Sequence, residues 1–164
     1  MITLVAGGNG SGKSRYAEAQ IAETQGPRVY IATMVSQNEE NRQRIEKHRR
    51  QRAGLDFATV EEPWQVSAVP VPEGAVVLLE DVSNLLANLV FSANGTREQA
   101  LAEIRRLADR CGQLVLVTIT GLDADGYDGE TAAYIRDLDW LNDRLAQMAD
   151  QVIEMRDGEP VRWK

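Results

Sequence analysis

The stretch AGGNGSGKSRYAEA, residues 6 to 19, sets the class of the fold. Gly7, Gly12, Lys13 and Ser14 satisfy G-x-x-x-x-G-K-[ST]. A short apolar run over residues 2–6 ends at the glycines, and helix formers with a period near 3.6 follow over 13–23. The order is therefore strand, loop, helix, the setting this motif needs. Glycines let backbone N–H groups curl around phosphate oxygens, and the helix N-terminus adds positive potential. Lys13 then reaches the outer phosphates and Ser14 offers a hydroxyl to Mg²⁺. A bound nucleotide phosphate is expected.

Outward from this stretch, strand and helix signals alternate. RVYIAT (28–33) is a β-branched and aromatic run, and Ser36 with Glu39 has capping-box spacing ahead of a polar helix over 37–52. FATV (57–60) reads as a third strand, and Pro63, Pro70 and Pro72 mark a connection with at most one short helix. AVVLLED (75–81) is a buried strand ending in two carboxylates, and VSNLLANLVF (82–91) is an apolar helix closed by Gly95. Thr96 and Gln99 repeat the capping-box spacing before a helix to residue 110, and QLVLVTIT (113–120) is another strand. A long helix over 130–149 leads to QVIEM (151–155), and Asp157-Gly158 predicts a two-residue hairpin into an edge strand at 160–163. Apolar strands separated by helices imply an α/β fold, mostly parallel, with helices on both faces and an antiparallel C-terminal edge hairpin.

With 164 residues and no internal repeat or linker, one domain over 1–164 is expected. Eighteen Lys plus Arg against 25 Asp plus Glu leave a net charge of -7, which argues against nucleic acid or an anionic membrane surface as partner. Small-molecule substrates fit better. Cys111 is the single cysteine, so no intramolecular disulfide forms, and a small buried apolar role suits it. No basic leader and no run of about 18 apolar residues is present, so a soluble, cytoplasmic protein without membrane insertion is expected.

Three further stretches bear on chemistry. Glu80 and Asp81 end their strand where a Mg²⁺ carboxylate is expected, either of them holding the ion directly or through water. In RIEKHRRQR (44–52), Arg44, His48 and Arg52 are four apart on one helix face, and His48 is the only histidine. Such a cationic face suits an anion, and positive neighbours favour a neutral imidazole able to attack phosphorus. A solvated basic face with an incidental histidine satisfies the charge pattern equally. No Asn-Lys-x-Asp run for guanine is present, Asp-x-x-Gly at 123–126 is a cheap pattern, and Asp123, Asp125 and Asp128 do not match an EF-hand loop.

GGNGSGKSRYAEA, VYIAT (29–33), RIEKHRRQR, TVEEP (59–63), LLEDVSNLLANLVF (78–91), IRDLDWLNDRLAQMADQV and the terminal VRWK, in this order, resemble one family nearly from end to end. It is the bifunctional adenosylcobinamide kinase and adenosylcobinamide-phosphate guanylyltransferase family of cobalamin biosynthesis. The resemblance implies a P-loop NTPase fold of RecA-like type. It also implies that His48 takes GMP from GTP as a phosphoramidate and passes it to the corrinoid phosphate. By the same carry-over Gly7, Gly8, Asn9, Gly10, Ser11, Gly12, Lys13 and Ser14 hold phosphates. Thr33, Met34, Val35, Arg49, Arg50, Gln51 and Arg52 line the nucleotide site, with Glu61 and Glu80 as further contacts. ATP or GTP with Mg²⁺ would serve the kinase, Lys13 would be catalytic beside His48, and Ser14, Glu80 and Asp81 would form the metal set. The partners implied are adenosylcobinamide, its phosphate, and further copies of the chain in a homotrimer.

Three departures stand out. After the strand at 113–118 the family usually has Asn-Glu-Val-Gly, whereas this chain has Ile119-Thr120-Gly121 and then LDADGYDG, so the family glutamate is missing. Phe57 stands at a usual tryptophan, and Ala53 at a frequent proline. Two other functions fit the residues: a P-loop kinase of another small molecule, with His48 a phosphate contact, or a nucleotide-binding partner protein that has lost corrinoid chemistry.

Overall fold

The computed structural model describes residues 1–35, 39–51, 54 and 57–164, with the backbone alone at Gln51. In chain order the elements are β1 (Ile2–Gly7), α1 (Lys13–Ala22), β2 (Arg28–Ala32), α2 (Glu39–Gln51), β3 (Ala58–Glu61) and β4 (Val76–Glu80). Then come α3 (Val82–Ala87), α4 (Arg97–Ala108), β5 (Gln113–Ile119), α5 (Gly129–Met148), β6 (Gln151–Arg156) and β7 (Glu159–Arg162). Ser36, Arg52 and Ala53 lie outside the described residues, so the first expected capping box and the expected far end of α2 do too.

The strands form one sheet in the order β3-β2-β4-β5-β1-β6-β7, parallel throughout except for the antiparallel β6–β7 pair. One strand, β5, separates the P-loop strand β1 from the carboxylate strand β4, so the two are not direct neighbours in the sheet. Asp157 and Gly158 both have positive φ, 50° and 80°, as the expected two-residue turn between β6 and β7 requires. The final strand lies at Glu159–Arg162, one residue earlier than expected.

Strand alternation divides the core. Val29, Ile31, Val77, Leu79, Leu114 and Leu116 face α3, α4 and α5. Tyr30, Val76, Leu78, Val115 and Val117 face the opposite side, where Ala17 and Ile21 of α1 pack. Buried on both faces, these strands read as continuous apolar runs. The same parity carries Glu80 to the α1 side, in line with Leu78 and opposite Ala32.

The expected helix over 82–91 is α-helical only to Ala87 and continues in π geometry through Asn88–Ser92. There the Asn88 amide donates to the carbonyls of Thr33 and Pro63, at 2.7 and 3.0 Å. Gly95 N–H closes the turn on the Leu89 carbonyl at 2.7 Å, and a side chain at 95 would stand 3.1 Å from that oxygen. Thr96 and Gln99 make both hydrogen bonds of a capping box at the head of α4. Cys111 is free and half-buried, its thiol donating to the Leu107 carbonyl, and burial pushes its pKa up to about 11. Among the described residues no helix is long and apolar enough to cross a membrane.

Core burial and capping should separate cleanly in denaturant unfolding. Leu116, fully buried in the central strand, should cost about 2–5 kcal/mol when cut to Ala, whereas Thr96→Ala should cost about 1 kcal/mol.

Candidate active site

The loop between β1 and α1 is closed by backbone geometry that side chains would spoil. A Cβ at Gly7 would run into Ser11 Oγ and stand 3.0 Å from the Met155 carbonyl. Gly12 turns the chain into α1 at φ 89°, a left-handed conformation that favours glycine. Lys13 Nζ lies back over the loop, donating to the Gly8 carbonyl at 3.3 Å. Ser11 Oγ is buried in the loop with no hydrogen-bond partner among the described groups. This is a cradle of amides with one lysine at its mouth, suited to a triphosphate.

Opposite the cradle stands Glu80, at the carboxyl end of β4 and only 6% exposed. Three groups converge on it. Ser14 Oγ donates to Oε1, Tyr30 OH donates to Oε2 at 3.3 Å, and His48 Nδ1 lies 3.7 Å from Oε1. Burial is the main cause that raises the Glu80 pKa from 4.5 to about 7. The Ser14 hydrogen bond opposes the rise, the charges of Asp81 and Glu18 reinforce it, and Lys13 opposes it more weakly.

Asp81 has a different task. Its Oδ1 accepts from Asn84 N–H and from Ser83 Oγ, both at 2.7 Å, and so caps α3. Its backbone is clamped by Thr33, whose hydroxyl donates to the Asp81 carbonyl and accepts from Asp81 N–H, both at 2.8 Å. Of the two carboxylates at the strand end, Glu80 meets the P-loop serine and Asp81 secures the helix that follows. The pair Ser14 and Glu80 fits Mg²⁺, which takes one or two protein oxygens and completes its shell with water and substrate phosphate. Among the described residues no group of three His, Cys, Asp or Glu side chains is placed to hold a metal.

The remaining expected contacts divide. Met34, His48, Arg49, Glu61 and Glu80 line one pocket, with Asp81 and Asn84 on its α3 side. Arg49 bonds Glu61 at 2.7 Å and ties α2 to β3. Val35 gives its carbonyl to Asn41 at 3.1 Å. Arg50 instead pairs with Glu46 at 3.4 Å on exposed α2 surface and does not line the pocket. Gln51 ends α2, and Arg52 lies outside the described residues. Of the expected cationic flank of His48, Arg44 pairs along the helix with Glu40 at 3.1 Å and Arg52 lies outside the described residues, while the Glu80 carboxyl lies 3.7 Å from the imidazole.

Tyr30, Asn84 and Asn88 join this region without having been anticipated. A tyrosine in the middle of a buried strand needs a partner for its hydroxyl, and two asparagines four apart in VSNLLANLVF break an apolar helix on one side. Those were the available signals. The altered stretch after β5 forms a 3-10 turn at Ala124–Gly126, with Asp123 Oδ1 accepting from Asp125 N–H at 2.9 Å.

A family model described as cobinamide kinase / cobinamide phosphate guanyltransferase matches residues 3–163. The bifunctional adenosylcobalamin biosynthesis protein of Escherichia coli strain K12 is 34% identical, over 100% of both chains. Its namesake from Pseudomonas aeruginosa is 31% identical over 100% of this chain and 98% of its own, and that from Salmonella typhimurium 32% over 100% of both. A solved structure from Pyrococcus horikoshii OT3 aligns with TM-score 0.55 at 10% identity, covering 99% of this chain and 85% of its own, a likeness of fold alone. Full-length identity of this level, together with a family match over nearly every residue, makes this chain a member of the cobinamide kinase / cobinamide phosphate guanyltransferase family.

Proposed function

We propose that the chain phosphorylates adenosylcobinamide with ATP or GTP, and transfers GMP from GTP through His48 to adenosylcobinamide phosphate, giving adenosylcobinamide-GDP. The observation that carries this reading is the convergence of the P-loop Ser14 and of His48 on one buried carboxyl, Glu80. A plain kinase needs the first contact; a histidine beside it is what a transferase adds.

In the transferase, a nitrogen of His48 attacks the α-phosphorus of GTP, an N–P bond forms, and the bond to the departing pyrophosphate breaks. A phosphate oxygen of the acceptor then attacks that phosphorus, forming the P–O–P linkage and returning His48. The Glu80 carboxyl, 3.7 Å from Nδ1, helps set the orientation of the ring for that attack. In the kinase, the acceptor hydroxyl attacks the γ-phosphorus, an O–P bond forms, the bond to the departing ADP or GDP breaks, and the hydroxyl proton passes to water. Both are displacements at phosphorus, so positioning and charge neutralisation by Lys13, Arg49 and the loop amides supply most of the rate. Ser14 and Glu80, with Asp81 beside them in sequence, would hold Mg²⁺, which would add to the neutralisation of phosphate charge. The homotrimer belongs to this reading on the strength of the family resemblance alone.

Incubation with Mg²⁺ and labelled GTP should give an acid-labile, alkali-stable GMP adduct that His48→Ala loses. Absence of the adduct from the wild type would sink the transferase assignment, and its survival in His48→Ala would move the attachment elsewhere. Lys13→Ala should lower kcat/KM for adenosylcobinamide phosphorylation by about 10²–10³, and unchanged turnover would contradict the kinase assignment. Glu80 also couples stability to pH. It ionises near 4.5 when unfolded but near 7 when buried, so the folded chain binds the extra proton between these values. Its contribution to stability is therefore greatest below pH 4.5 and is lost as pH rises to 7, by an amount on the order of 3 kcal/mol. Denaturant titrations of the nucleotide-free protein across this window should show the decline, and Glu80→Gln should flatten it.

A further inference from the structure

Among the described residues, five large apolar side chains are exposed, and they divide by edge of the sheet. Met1 and Trp163 lie at the edge where the parallel strands begin. Trp64, Phe91 and Tyr127 follow β3, β4 and β5, on segments leaving the edge where the P-loop and Glu80 lie. That edge is where ligands bind in open α/β sheets. Trp64 is 39% and Phe91 51% exposed, yet neither ring hangs loose. Trp64 Nε1 donates to the Asn88 carbonyl at 3.3 Å, and Asn88 in turn reaches the Thr33 carbonyl at 2.7 Å. Phe91 packs on Tyr134 with centroids 5.6 Å apart, and Tyr134 OH donates to the Ser83 carbonyl at 2.8 Å. Both rings are therefore braced on the α3 segment, next to the backbone that positions Glu80 and Asp81.

The segment itself points from the reaction centre toward the rings. Asn84 lines the pocket that holds His48 and Glu80, Asn88 follows four residues on, and Phe91 three beyond that, in the π-helical turn. Such turns gather at functional sites. α1, which begins at the phosphate cradle, packs on the opposite face of the sheet from α3 and α5, so the rings and the cradle lie on opposite faces.

We propose that Trp64 and Phe91 form a braced aromatic ledge on which the corrin macrocycle of the acceptor lies, with its hydroxyl or phosphate arm reaching the Glu80–His48 pocket. This rests on the reading that the acceptor is a cobinamide. A corrin is a broad ring system whose ring carbons and methyl groups offer apolar surface between its amide arms, and aromatic rings held at fixed angles bind such surface at small entropic cost. The two residues are thus acceptor-specificity determinants that touch no nucleotide.

Trp64→Ala and Phe91→Ala should each raise KM for adenosylcobinamide phosphate about tenfold with kcat changed less than about twofold, and Phe91→Tyr should restore KM. GMP loading of His48 from GTP, which requires no acceptor, reports on folding in each variant. Equilibrium dialysis with adenosylcobinamide should show the same loss of affinity. If the wild type turns over the corrinoid and both alanine variants keep its KM, the ledge alone is overturned. A wild type that loads GMP but neither binds nor uses the corrinoid overturns the reading beneath it. A fall in oligomer mass in the alanine variants with KM unchanged assigns the rings to contact between copies and also overturns the ledge.

Discussion

A carboxyl group buried at the end of β4 holds this molecule's working parts in one place. Glu80 takes a hydrogen bond from the P-loop helix through Ser14 and another from β2 through Tyr30, and faces α2 through His48. Remove it and three elements from different parts of the chain lose their common point. Burial makes the group unwilling to ionise, which is unfavourable for an isolated carboxylate and useful beside phosphate. A cation, or a protonated neighbour, becomes a natural companion.

That meeting point follows from strand alternation more than from any local motif. Tyr30 and Leu78 sit opposite each other in paired strands, as do Ala32 and Glu80, so all four project to the α1 face. The P-loop emerges two strands away, about 10 Å across the sheet, and α1 returns its first turn toward β4. Asp81, one residue further, serves the opposite side by capping α3. Adjacent acids in sequence are thereby divided between a chemical task and a structural one.

Much of this was legible in the residues. The glycine loop, the capping box at Thr96 and the Asp157-Gly158 turn each have a local physical cause, so spacing alone located them. Strand existence was equally plain, because runs such as VVLL admit few other fates. The division of labour between Glu80 and Asp81 was not, since it depends on which face a strand presents after it has found its neighbours. The surroundings of His48 were legible only in part, for a related reason. Helix spacing puts Arg44 beside it, but Arg44 turns to Glu40, and the tertiary fold brings an acid from another strand. Asn88 and Tyr30 signalled only a need for partners and not which ones, because those partners lie 55 and 50 residues away in sequence.

The two borders of the sheet bear on how such a chain survives its own synthesis. Between them lie β2, β4 and β5, short, apolar and β-branched, which are the traits of segments that stack into fibrils when left open. One border is β7, which carries Pro160 between Glu159 and Arg162, so part of its outer rim cannot donate to an incoming strand. The other is β3, only four residues long and largely exposed, ending in Glu61. Short length, charge and a proline are ordinary gatekeepers against edge-to-edge growth. The C-terminal hairpin thus acts as a stopper that keeps an aggregation-prone interior from recruiting its neighbours.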